Sequence, residues 1–95
     1  VIPVDFLWGY TVAAKRKLSR AETRTAIEDC QDFFMANEDR LREAVYAHYS
    51  WRDAGSDFWH SRRGDDGYLT RSELEITLSA KLHTAALAYG VPGDE

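Results

Sequence analysis

The apolar and polar positions along the chain resolve into a series of helical segments. Between Pro3 and Leu18, the residues Phe6, Tyr10 and Ala13 fall on one face, and Leu7, Trp8 and Val12 widen it. Pro3 and Asp5 suit a first helical turn, and Lys15, Arg16 and Lys17 suit a last one, since the helix dipole favours acids at its start and cations at its end. Gly9 is a mild weakness within this helix. Ser19 and Glu22 form a capping box, in which each side chain bonds the other residue's backbone N–H, and this marks a new helix start. Beyond it Ala26, Cys30, Phe33, Leu41, Val45 and Tyr49 recur near helical spacing, with Ile27 and Phe34 on the same stripe. The stretch Asn37-Glu38-Asp39-Arg40 reads as the end of one helix and the acidic first turn of the next. The alternative is a single helix running on to about Ser50.

A further helix is expected over Trp51 to Arg63, with Trp51, Ala54 and Phe58 on one face and Gly64 as its stop. Gly64-Asp65-Asp66-Gly67 is the strongest turn signal in the chain. Thr70 and Glu73 offer a second capping box, after which Leu74, Leu78, Leu82, Ala85 and Tyr89 recur at helical spacing up to Gly90 and Pro92. Strand-like character is confined to a short segment near 67–70. These stripes predict an all-α fold, a small bundle of roughly four or five helices in a single helical domain over residues 1–95. The expected core comprises Phe6, Trp8, Ile27, Phe33, Phe34, Leu41, Phe58, Leu78 and Leu82.

Composition supports a packed domain: 44% of the residues are hydrophobic and 13% aromatic, too rich for a disordered chain. The net charge of −4 argues against simple polyanion binding. That charge is unevenly spread. Residues 1–20 carry four bases against one acid, and residues 21–50 carry seven acids against three bases. Such a dipolar surface suits docking to a charged partner. The single cysteine, Cys30, cannot form an internal disulfide, and nothing points to an oxidising compartment. No apolar run approaches a membrane span. The stretch Val1 to Trp8 contains Asp5, lacks a basic start and does not read as a signal peptide. The expected location is the cytoplasm.

Four kinds of chemistry have partial signatures in the chain. Asp66 to Glu73 matches the second half of a calcium-binding EF-hand loop, but the first half places Arg62 and Gly64 at ligand positions, and an arginine repels a cation. A turn followed by a capped helix explains the same residues. Cys30, His48, His60 and His83 lack the spacing that sets two metal ligands on one helical turn. A metal-binding module or metal-dependent enzyme would have to draw on His60, Asp57, Cys30 or the Asp65-Asp66 turn. No Gly-x-Ser-x-Gly elbow or phosphate-binding glycine loop is present, although Asp57 and His60 are spaced to pair on a helix. Nucleic-acid binding has two basic patches available, Lys15 to Arg20 and Arg62-Arg63, the latter beside Trp59 and His60. Overall acidity weakens that reading.

The stretch from Ala54 to Gly64, centred on Asp57-Phe58-Trp59, resembles small proteins of tailed bacteriophages and prophages that have no assigned activity. They share an alanine-glycine-histidine-aspartate-phenylalanine-tryptophan stretch followed by an arginine and a glycine-rich turn. The resemblance extends to Asp29-Cys30 before an aromatic pair, to Tyr89-Gly90, and to Phe6 through Tyr10. Here Ser56 replaces the family's first histidine, and Gly64-Asp65-Asp66 replaces its glycine-histidine-glycine turn. The resemblance implies a phage context, with the bacterial host cytoplasm as location, and no reaction. The expected function is a non-enzymatic interaction protein without cofactor that binds a host or phage macromolecule; inhibition of a host defence system is one form this would take. The alternatives are the metal-binding and nucleic-acid-binding readings above, and exposed aromatics would also suit a homodimer. The expected binding residues are Asp57, Trp59, Arg62, Arg63, Gly64 and Gly67, with Arg62 stacking on the Trp59 ring three residues before it. Trp and Arg dominate interface energetics, which is why this box is singled out.

Overall fold

Ser19, Ser50 and Glu75 each start a helix with a side chain that accepts from a backbone N–H of its first turn. Residues 2–93 are described by a computed structural model; Val1, Asp94 and Glu95, part of the expected 1–95 domain, lie outside the described residues. Helix α1 spans Val4–Ala13 behind an extended Pro3, whose carbonyl accepts from the Phe6 N–H at 3.1 Å. It stops short of Leu18 because Lys15 adopts a positive φ of 56° and turns the chain. The basic cluster therefore lies in the connection to α2, not in a last helical turn.

Helix α2, Arg20–Ala36, carries the expected capping box. The Ser19 hydroxyl accepts from the Glu22 N–H at 3.1 Å, and Glu22 accepts from the Ser19 N–H at 2.9 Å. The break at Asn37 is real and has a cause: its buried side-chain amide donates to the Phe33 carbonyl at 3.0 Å, serving an end group of α2. Helix α3 follows over Glu38–Tyr46, and α4 over Trp51–Arg62 behind a Ser50 cap bonded to the Asp53 N–H at 2.9 Å. Gly64 ends α4 with φ at 89°, as its position predicts.

The region after α4 departs from expectation. Residues Gly67–Thr70 form a 3-10 turn rather than an extended segment, and α5 spans Ile76–Leu87. Its cap is Glu75, which accepts from the Leu78 N–H at 3.0 Å, so the Thr70–Glu73 box goes unused. The reason is tertiary. Tyr68 and Leu74 are buried and Arg71 is tied to α4, which holds residues 67–74 against that helix until the chain is released at Glu75. The result is five α-helices and no strand among the described residues.

Helices α1 and α4 make the closest contact in the bundle. A Cβ on Gly9 would lie 2.0 Å from the Arg52 carbonyl oxygen, and one on Gly55 would lie 1.8 Å from that of Phe6. Two helix backbones meet this closely only where side chains are missing from both. The crossing brings Phe6 and Tyr10 onto Phe58, with ring centroids 6.3 and 5.4 Å apart. Phe33 of α2 stacks on Phe58 at 4.1 Å, and Tyr89 meets the same ring edge-on at 5.4 Å. Phe58 is thus the hub of an aromatic core. Three members of the expected core lie further out: Trp8 is 46% exposed, and Ile27 and Leu78 are half-buried. Their places are taken by Tyr10, Tyr49 and Tyr68, whose hydroxyls find partners inside and so permit burial.

Candidate functional site

Helix α4 presents opposite faces of the Asp57-Phe58-Trp59 box to very different surroundings. Asp57 is only 2% exposed. Its two carboxylate oxygens accept from Arg71 Nε at 2.9 Å and Nη2 at 3.1 Å, and Oδ2 also accepts from the Tyr49 hydroxyl. Burial pushes the Asp57 carboxyl up from its ordinary range, while Arg71 and Tyr49 pull against that shift. Arg71 is itself pushed up, chiefly by its hydrogen bond to Asp57. The two directions pull opposite ways on the Asp57 charge. Both oxygens serve as acceptors in a fork geometry, which fits an ionised carboxylate held by a cation.

Arg62 is also interior, at 3% exposure. Its Nε donates to the Gly90 carbonyl at 2.7 Å and its Nη1 to the Tyr10 hydroxyl at 2.9 Å, and it pairs with Asp29 at 2.8 Å. One guanidinium thereby ties α4 to α1, to α2 and to the residues after α5. It lies over the rings of Phe58 and Tyr89, not over Trp59. The expected Arg62–Trp59 stack is replaced by Arg63, whose guanidinium carbon sits 3.8 Å from the Trp59 ring centroid and whose Nη1 donates to the Trp59 carbonyl at 2.8 Å.

Gly67 belongs to the interior as well. A Cβ there would lie 2.1 Å from the Ser61 Oγ and 2.6 Å from the Asp57 carbonyl oxygen. The close approach lets the Tyr68 N–H donate to the buried Ser61 hydroxyl at 3.0 Å, while His83 Nδ1 meets the same hydroxyl at 3.0 Å. Ser61 is fully enclosed, so this Ser–His pair holds α5 and the 3-10 turn to α4. Of the six expected binding residues, Asp57, Arg62 and Gly67 are frame. Trp59 and Arg63 are half-buried, Gly64 is exposed, and these three lie together at the C-terminal edge of α4.

The metal candidates do not converge. Cys30 is buried in the core, and burial pushes its thiol well above the ordinary range, which leaves it a neutral apolar side chain. His60 faces Asp65 at 3.7 Å and not Asp57. Among the described residues no group of three or more His, Cys, Asp and Glu side chains could hold a metal ion. No described helix is long and apolar enough to cross a membrane.

The residues that the sequence reading missed are Arg71, Tyr49 and Asp29, the partners of the buried charges. On its own helix face Asp57 is flanked by Asp53, Ala54, His60 and Ser61, so its spacing gives no signal that it is buried.

Protein-family models, curated proteins and solved structures offer no match to this chain.

Proposed function

We propose that the protein is a non-enzymatic interaction module that engages a macromolecular partner through the C-terminal edge of α4, with Trp59 and Arg63 at the centre of the contact and Gly64, Asp65 and Asp66 beside it. The observation that carries this reading is the Arg63 guanidinium stacked 3.8 Å above the half-exposed Trp59 ring. Trp and Arg contribute most per residue to protein interfaces, and a rigid pair loses little entropy on binding. The rigidity comes from behind: the Asp57–Arg71 fork and the Arg62 tether fix α4 in place. A phage origin, a partner from host or phage, and action in the bacterial cytoplasm rest on the resemblance of the Ala54–Gly64 box and belong to the same proposal.

The test is capture from bacterial lysate by the tagged protein, read by mass spectrometry for proteins and by gel for nucleic acid. The variant is Trp59→Leu with Arg63→Ala, since leucine keeps an apolar group over the half of Trp59 that faces the core. A stoichiometric protein partner lost in the folded variant supports the proposal. Equal capture by both forms, or capture of nucleic acid alone, overturns it.

A further inference from the structure

A second surface lies around the connection between α1 and α2. Leu18 and Thr23 are shared by two adjoining cavities. One, of about 540 Å³, is floored by Leu18 and Ile27; the other, of about 390 Å³, reaches Thr11 and Val12. Val12 is also the last of three exposed apolar residues at four-residue spacing on α1, after Val4 (80% exposed) and Trp8. Such spacing sets them on one face, about 12 Å long. An apolar stripe thus runs along α1 into a shallow, open groove whose apolar part is the Leu18–Ile27 floor.

The rim of that groove is basic. Arg16, Lys17, Arg20 and Arg24 line it, against Glu28 and the nearby Glu22. Glu22 is already paired with Arg16, whereas Lys17, Arg20 and Arg24 make no ion pair among the described residues. Residues 15–24 hold five bases and one acid within a chain of net charge −4. A local field of opposite sign to the whole molecule is a recognition feature rather than a solubility one. Arg52 extends the positive side along α1, its guanidinium 3.9 Å from the Trp8 ring centroid.

We infer that this stripe and groove form a docking site for an acidic amphipathic helix of a partner protein, whose apolar side chains enter the Leu18–Ile27 floor and whose carboxylates meet Lys17, Arg20 and Arg24. Helix-in-groove recognition needs an apolar trough of a few turns and a charged margin, and both are present. A nucleic-acid backbone has no use for the apolar floor, and the Glu28 carboxylate on the rim disfavours an anionic membrane surface. The site is separate from Trp59 and Arg63, and stands or falls independently of the proposed function.

The test is fluorescence anisotropy with the full chain and a labelled, stapled helical peptide carrying leucine at i, i+3 and i+7 and glutamate elsewhere. The same peptide with lysine in place of glutamate, a single-stranded DNA oligomer and phosphatidylserine vesicles are run beside it. Saturable binding of the acidic peptide is expected, weakened about tenfold or more in the folded Arg20→Glu, Arg24→Glu double variant and reduced by added salt. Trp59→Leu should bind as the parent does. Amide NMR shifts should centre on Leu18, Thr23 and Ile27. The inference is overturned by no saturable binding, by equal binding of the lysine peptide, by preference for DNA or vesicles, by shifts centred elsewhere, or by a groove already filled by a second copy of the chain in solution.

Discussion

Gly55→Ala inserts a methyl carbon where α1 and α4 leave no room for one. The added Cβ would lie 1.8 Å from the Phe6 carbonyl oxygen and 3.0 Å from the Tyr10 nitrogen. Favourable carbon contacts lie near ~3.5 Å, so α1 must retreat by roughly 1 Å or more, which forfeits about a quarter to a half of the dispersion energy of atom pairs across the contact. The pairs at risk include Phe6–Phe58 and Tyr10–Phe58. Overpacking usually costs about 1–3 kcal/mol, and an obstacle made of backbone places this case near ~3. Against that, alanine is the better helix former by about 1 kcal/mol. The net destabilisation is about 2 kcal/mol, and for a domain of this size that lowers the melting temperature by roughly 8–16 °C. Thermal and urea unfolding followed by far-UV circular dichroism measure it. Gly93→Ala is the control, since nothing lies within 4 Å of its Cβ. If Gly55→Ala melts at or above the parent temperature, the gain in helix propensity has won and the close crossing is refuted.

Asp57→Asn keeps the shape of the side chain but removes the charge that holds Arg71; a loss of about 2 kcal/mol in urea unfolding is expected, limited because water reaches Arg71. A double-mutant cycle of Arg62→Met with Asp29→Asn should show a coupling of about 1 kcal/mol or more, since the pair is 2.8 Å apart and the arginine is buried; strict additivity would deny the pair a role. Glu22 is held at about 2 against an ordinary 4.5, first by its bond from Arg16 and then by the Ser19 N–H. Because the folded value is the lower one, this contribution is complete above pH 4.5 and is lost as pH falls towards 2. An NMR titration of the Glu22 carboxyl should give a midpoint near 2, and an ordinary midpoint would mean the cap is open in solution.

The helix ends were the most readable part of the fold, because capping is local chemistry. Ser19 with Glu22, the Asn37 break and the Gly64 stop all sit where the sequence places them. The start of α5 was not readable, since Thr70 and Glu73 have the residues of a cap and only the burial of Tyr68 and the tether on Arg71 prevent its use. Gly9 reads in sequence as a weakness, and its value appears only when Gly55 lies on the helix opposite. The box divides for a related reason. An aspartate and an arginine on a helix look like surface residues until their partners, scattered from Tyr10 to Gly90, come together in space. Trp59 and Arg63 could be singled out by residue type, but which arginine stacks on the tryptophan depends on Arg62 being drawn inward by Asp29.

The adjacent arginines offer the most direct test of this division between frame and surface. Arg62→Met and Arg63→Met make the same chemical change one residue apart, and their thermal melts can be compared in one buffer. Arg62→Met should destabilise by about 3 kcal/mol, because it leaves Asp29 and the Gly90 carbonyl without their donor. Arg63→Met should cost less, about 1–2 kcal/mol, since the half-buried guanidinium gives up its stack on Trp59 and its bonds to the Trp59 carbonyl and the Tyr10 hydroxyl but leaves no carboxylate without its cation. Equal melting temperatures for the two variants, or a larger loss at Arg63, would contradict the account.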